Sequence, residues 1–135
     1  MAMQVLQGGM RARIIDWQRL SIPLFLFYSF FFILLTPAIH EYGHSIAIEL
    51  CGDEKYEVYL NIFDMHSYIT YNFDKCSLWE IFFIASFGGI FSSIVYLVLF
   101  FVVKHQEAKL ILLVLSVLHF VYGIVEGIEV VMRYL

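Results

Sequence analysis

Charge is what this chain has least of. Only 15% of its 135 residues are Asp, Glu, Lys or Arg while 61% are hydrophobic. A soluble domain carries about a quarter charged residues, so an ordinary water-soluble fold is excluded. Eight basic residues against twelve acidic ones, a net charge of -4, leave no basic face for nucleic acid. There are only two cysteines, Cys51 and Cys76. They bracket a polar segment and should lie near the same membrane face, where two free interfacial thiols are preferred over a bridge. Five histidines are too few for the histidine-rich site of a membrane di-iron oxygenase. No repeat suggests a solenoid. The first apolar run is too long for a signal peptide and lacks a small-residue cleavage site, so the first helix should be kept. Length and composition together leave room for one domain and for no large soluble module.

What remains is oil, in three pieces. Uncharged apolar runs extend from Ile22 to Ile39, Ile81 to Val103 and Leu110 to Val125, and a spanning helix needs roughly 20 such residues. Continued through their polar ends, they predict transmembrane helices over 22–50, 79–103 and 109–132, in an all-α, multi-pass integral membrane protein. Residues 1–20 hold Arg11, Arg13 and Arg19 among Ile14, Ile15, Trp17 and Leu20, a pattern suited to a short interfacial segment. Between the first two helices, residues 55–74 contain "EVYLNIF" and "YITYNF", rich in β-branched and aromatic residues, with turn residues from Asp64 to Ser67 between them. That predicts an interfacial β-hairpin with His66 near its tip.

The first run carries "HEYGH", ionisable residues that hydrocarbon tolerates only with a partner or a task. On a helix, i and i+4 share a face, so His40 and His44 can offer two imidazole nitrogens to one ion. Glu41, beside the first, can reach a metal-bound water instead. That is the H-E-x-x-H arrangement of zinc hydrolases, with the glutamate as general base. Zinc lowers the pKa of its water to about 7 and polarises a carbonyl. The plain alternative is two interhelical hydrogen-bonding histidines and an interfacial glutamate. It requires burying a carboxylate between imidazoles with no cation, which is expensive.

A catalytic zinc needs a third protein ligand. On the third helix Ser116, His119, Tyr122, Glu126 and Glu129 follow each other at three- and four-residue steps, as a single polar stripe expected to face the bundle interior. Glu126 is the candidate ligand, with Glu129 and His119 as competitors. His119, His66 and Tyr122 are candidates for contacting substrate or the oxyanion. On the middle helix Ala85, Gly89 and Ser93 form a small-xxx-small stripe for close packing, widened by Ser86, Gly88 and Ser92. Pro37, one turn before His40, should bend the first helix.

These residues resemble the site-2 protease family of intramembrane zinc metalloproteases. The likeness rests on "HEYGH" within a membrane helix, on "ASFGGIFSS" in the next core helix and on "VEG" in the third. It implies cleavage of peptide bonds in or near transmembrane segments of other membrane proteins, with Zn2+ held by His40 and His44, Glu41 as base, and Glu126 in the place of an aspartate that precedes glycine. Ahead of that position "LHFVYGIVEG" lacks the family's asparagine and prolines. Expected partners are a transmembrane substrate, the lipid bilayer and a regulatory membrane protein or a second copy of the chain. Positive-inside counting over Arg11, Arg13, Arg19, Lys104 and Lys109 places the hairpin outside, whereas the resemblance implies a hairpin and metal nearer the cytosol. A catalytically inactive adaptor on the same scaffold and a metal-handling membrane protein are the rival readings.

Overall fold

The computed structural model describes residues 20–52, 56–61 and 67–135. Three helices, α1 (Ile22–Leu50), α2 (Leu78–Val102) and α3 (Gln106–Arg133), are each long and apolar enough to cross a membrane. Between α1 and α2 lie two short antiparallel strands, β1 (Glu57–Tyr59) and β2 (Tyr68–Thr70), in the register Glu57↔Thr70, Val58↔Ile69, Tyr59↔Tyr68. The hydropathy pattern thus predicts the architecture. The 1–20 segment, apart from Leu20, and His66 at the expected hairpin tip lie outside the described residues.

Local signals set the helix ends. Pro23 occupies the first turn of α1, where its missing N–H is no loss. Gly52, with φ of 84°, takes the left-handed conformation just beyond the helix, which stops it there. α2 opens with a capping box: the Ser77 hydroxyl accepts from the Glu80 amide, and the Glu80 carboxylate accepts from the Ser77 amide at 2.7 Å. The Ser21 amide donates to the Glu107 carboxylate at 2.7 Å, tying the start of α1 to the first turn of α3.

Packing is uneven. α3 runs along the length of α2, while α1 leans on α2 and touches α3 only sparsely. Gly89 and Gly123 bring the α2 and α3 backbones together, since a Cβ on Gly89 would lie 2.5 Å from the Gly123 Cα. A turn further along α2, the Ser116 hydroxyl donates to the Ser93 carbonyl at 3.0 Å. Two apolar clusters result. One joins Phe32, Tyr96, Ala108, Ile111 and Leu112 at the α3 N-terminal end. The other joins Ala47, Ile48 and Ile84, with Ile69 of β2 and Phe73 packed against it, so the hairpin leans on the end of α1. That support is what a two-stranded hairpin needs, being marginal alone. The polar residues of interest lie between the two clusters.

The third-helix stripe is narrower than its spacing suggests. Ser116 is buried and Glu126 faces α1, but Tyr122 is more than half exposed, and Glu129 is exposed and pairs with Arg133. Each three-residue step falls about 60° short of a full turn at 100° per residue. Over the thirteen positions from Ser116 to Glu129 the lag therefore accumulates to about 140°, which carries Glu129 off the interior face.

Candidate metal centre

His40 and His44 lie on the buried face of α1, each less than 10% exposed. About 15 Å of helix separates His40 from the end of α1 at Leu50. Their Nε2 atoms approach to 3.0 Å. Glu126, from α3, completes a cluster: its carboxylate oxygens lie 3.3 Å from His40 Nε2 and 3.8 Å from His44 Nε2. The structure brings these three groups together from opposite ends of the chain. It does not bring Glu129, the competing carboxylate, to them.

Hydrogen-bond accounting shows what such a cluster wants. His44 Nδ1 sits 2.7 Å from the Ile84 carbonyl. A carbonyl only accepts, so Nδ1 carries the proton and Nε2 presents a lone pair. His40 Nε2 can offer at most one hydrogen to the group. Glu126 Oε2 is buried and has no hydrogen-bond partner among the described residues. At most one hydrogen therefore serves the His44 lone pair and the Glu126 carboxylate together, an arrangement costly in a low-dielectric interior and satisfied by a cation. Zinc with nitrogen or oxygen ligands at 2.0–2.1 Å in a tetrahedron separates those atoms by about 3.3 Å, and one donor atom from each of the three residues lies within 4.8 Å of the others. The residues fit zinc, and the Ile84 carbonyl behind His44 is the outer partner that fixes a ligating imidazole.

The fit depends on a residue whose role the composition of α2 only hinted at. A Cβ on Gly88 would fall inside van der Waals contact of the His44 ring, 2.6 Å from Cδ2 and 2.7 Å from Cε1. Gly88 is therefore the seat of His44. The signal was present in "FGG": Gly89 belongs to the stripe facing α3, and its neighbour, about 100° around the helix, faces α1. Gly127 is likewise confined, against Ser86 and Phe82 of α2, which fixes the turn carrying Glu126.

Glu41 is also buried and lines the same cavity, with no hydrogen bond or ion pair from its carboxylate among the described residues. That cavity measures about 680 Å³. It runs from Thr36 and Pro37 past the two imidazoles to β2, and is walled by Ile48, Ile69, Ile84 and Val130. His119 and Tyr122 both line it. The His119 ring lies 6.5 Å from that of His40 and edge-on to Tyr96, with Nδ1 2.8 Å from the Leu115 carbonyl. The Tyr122 ring lies 5.6 Å from that of His40. Cys51 and Cys76 are free thiols.

Three candidate membrane spans holding a two-histidine, one-glutamate cluster beside a second buried glutamate define a class: a helical protein with the donor set of a zinc metallopeptidase. Comparison with known families gives the particular one. Residues 33–133 match the family described as "Putative zincin peptidase", and the chain belongs to that zinc metallopeptidase family. No curated protein and no solved structure matches it.

Proposed function

We propose that this chain is an intramembrane zinc metalloprotease, similar to the site-2 proteases, that hydrolyses peptide bonds in or near transmembrane segments of other membrane proteins. One observation carries the reading: two imidazoles and a carboxylate with one buried oxygen lacking a hydrogen bond meet on the wall of a cavity that Glu41 also lines, within helices apolar enough to span a bilayer. His40, His44 and Glu126 hold the ion. Zinc there supplies a Lewis acid that acidifies water and polarises a carbonyl.

The chain's own residues do the rest. Glu41 takes a proton from the attacking water and returns it to the leaving amide nitrogen. The apolar walls of Ile48, Ile84 and Val130 exclude bulk water and receive apolar side chains of a membrane segment. A helical substrate hides its carbonyls in hydrogen bonds, so it has to unwind before attack. β2 lines the cavity and among the described residues is paired only with β1, leaving its other edge to hold an extended segment by strand addition.

The test is Glu41→Gln in the purified protein, reconstituted with a membrane-segment substrate. Zinc content should stay at the wild-type level while turnover falls about 10³-fold or more, the range of a lost general base. Unchanged turnover in the variant refutes the base assignment, whereas absence of turnover in the zinc-loaded wild type refutes the enzyme and leaves an adaptor on the same scaffold.

A further inference from the structure

Hydrolysis through a tetrahedral centre requires a donor aimed at the oxygen that gains charge, and the hydrogen bonds around the cavity show which donor is free. The Thr36 hydroxyl donates to the Phe32 carbonyl at 2.9 Å, so the Tyr96 hydroxyl, 2.6 Å away, spends its hydrogen on Thr36. His119 Nδ1 donates to the Leu115 carbonyl, which leaves its other nitrogen an acceptor in the neutral ring. His44 Nδ1 donates to Ile84. The Tyr71 hydroxyl sits against the Cys76 sulfur. The Ser67 hydroxyl accepts from the Asn61 amide and the Tyr68 ring stacks on Tyr59, and both belong to the hairpin. Of the cavity hydroxyls carried by the helices that hold the ligands, Tyr122 remains: among the described residues it has no hydrogen-bond partner, and its ring lies 5.6 Å from His40, one turn before Glu126 on α3.

Its depth is the second observation. Eleven residues, about 16 Å of helix, separate Tyr122 from the end of α3 at Arg133, whereas tyrosines of membrane proteins gather at the two interfaces, where the hydroxyl stays wet. The residue is 55% exposed overall, yet it lines the cavity that holds the imidazoles, so a polar side chain stands where an apolar one would serve a lipid-facing position.

We propose that Tyr122 is a catalytic residue whose hydroxyl donates to the oxyanion of the peptide carbonyl under attack, a role that rests on the peptidase reading above. No bond to the tyrosine forms or breaks. The proton stays on Oη throughout, and the interaction is strongest when the carbonyl oxygen is fully charged.

Tyr122→Phe keeps the ring against His40 and removes only the hydroxyl. Three quantities decide: zinc content, the kinetics of peptide cleavage, and affinity for a phosphinic peptide, whose anionic oxygen occupies the oxyanion position, against the amide peptide of the same sequence measured on Glu41→Gln. The expected result is unchanged zinc, kcat lower by about 10²- to 10³-fold with KM little altered, and phosphinic affinity reduced by a similar factor while the amide peptide binds as before. Wild-type kcat and phosphinic affinity in the variant overturn the assignment. So does loss of zinc, or equal weakening of both peptides, because each indicates a packing role. A wild-type chain that cleaves nothing yet binds the phosphinic peptide through Tyr122 overturns the hydrolytic reading and upholds the donor. Absence of both cleavage and phosphinic binding overturns both.

Discussion

At the scale of single residues, the candidate site shows how far a short-range pattern reaches. His40 and His44 are four apart on one helix, so their meeting is a consequence of helical geometry alone and could be read from five letters. Gly88 is different. Its importance arises from an imidazole that belongs to another helix: the α2 pattern turns Gly88 toward α1, but nothing within α2 says that a ligand ring will rest on it. The contact gives a sharp expectation. In Gly88→Ala the new methyl group displaces the His44 ring and breaks its alignment with the Ile84 carbonyl. Zinc affinity should fall about 10- to 100-fold, as when an outer-shell partner is lost, while far-UV circular dichroism stays unchanged, since alanine is a better helix former than glycine. Equal zinc affinity in the variant and the wild type would mean that His44 is not seated as described.

Elements were legible where one physical signal dominated. Three long apolar helices follow from hydrocarbon alone, because a bilayer accepts no other monomeric solution for such segments. The hairpin was legible in kind: among the described residues three residues pair on each strand, and Tyr56 and Ile69 rest on Ala47, Ile48 and Ile84. The junction of α1, hairpin and α2 collects Cys51, Cys76 and Glu80 at one end of the bundle. Burial first, then the charges of Glu80 and Cys76, push the Cys51 thiol above its ordinary range. A raised pKa means less thiolate at neutral pH and a slower nucleophile. Alkylation of Cys51 by iodoacetamide, followed by peptide mass spectrometry, should therefore lag behind a free cysteine at pH 7 and catch up as pH rises. Removing one charge in Glu80→Gln should speed it modestly. Cys51 labelling as fast as free cysteine at pH 7 would contradict this account of the junction.

For the whole molecule, the decisive fact is that the cluster draws its groups from α1 and α3, the two helices that touch least. Sequence showed two ligands in one place and several acids elsewhere. Glu126 was the candidate from its place on α3, but that it meets them depends on the Gly89–Gly123 and Gly127–Ser86 contacts that hold α3 against α2, neither of which is local. An ion held by His40, His44 and Glu126 ties α1 to α3 where side-chain packing between them is thin, so it should act as a staple on the bundle. Binding only the folded state, it stabilises by about 4 kcal/mol at a thousandfold excess over its dissociation constant. Chelation should accordingly lower the thermal unfolding midpoint of the wild type in detergent. In Glu126→Gln the midpoint should be low from the start and insensitive to chelator, because the buried carboxylate is gone. Glu129→Gln is the discriminating control: its partner Arg133 is exposed, an exposed pair contributes less than about 1 kcal/mol, and its response to chelator should match the wild type. If the chelator leaves the wild-type midpoint unmoved, or the Glu129 variant loses its response as fully as the Glu126 variant, then no ion bridges these helices, and the two imidazoles and the carboxylate must be satisfied in another way.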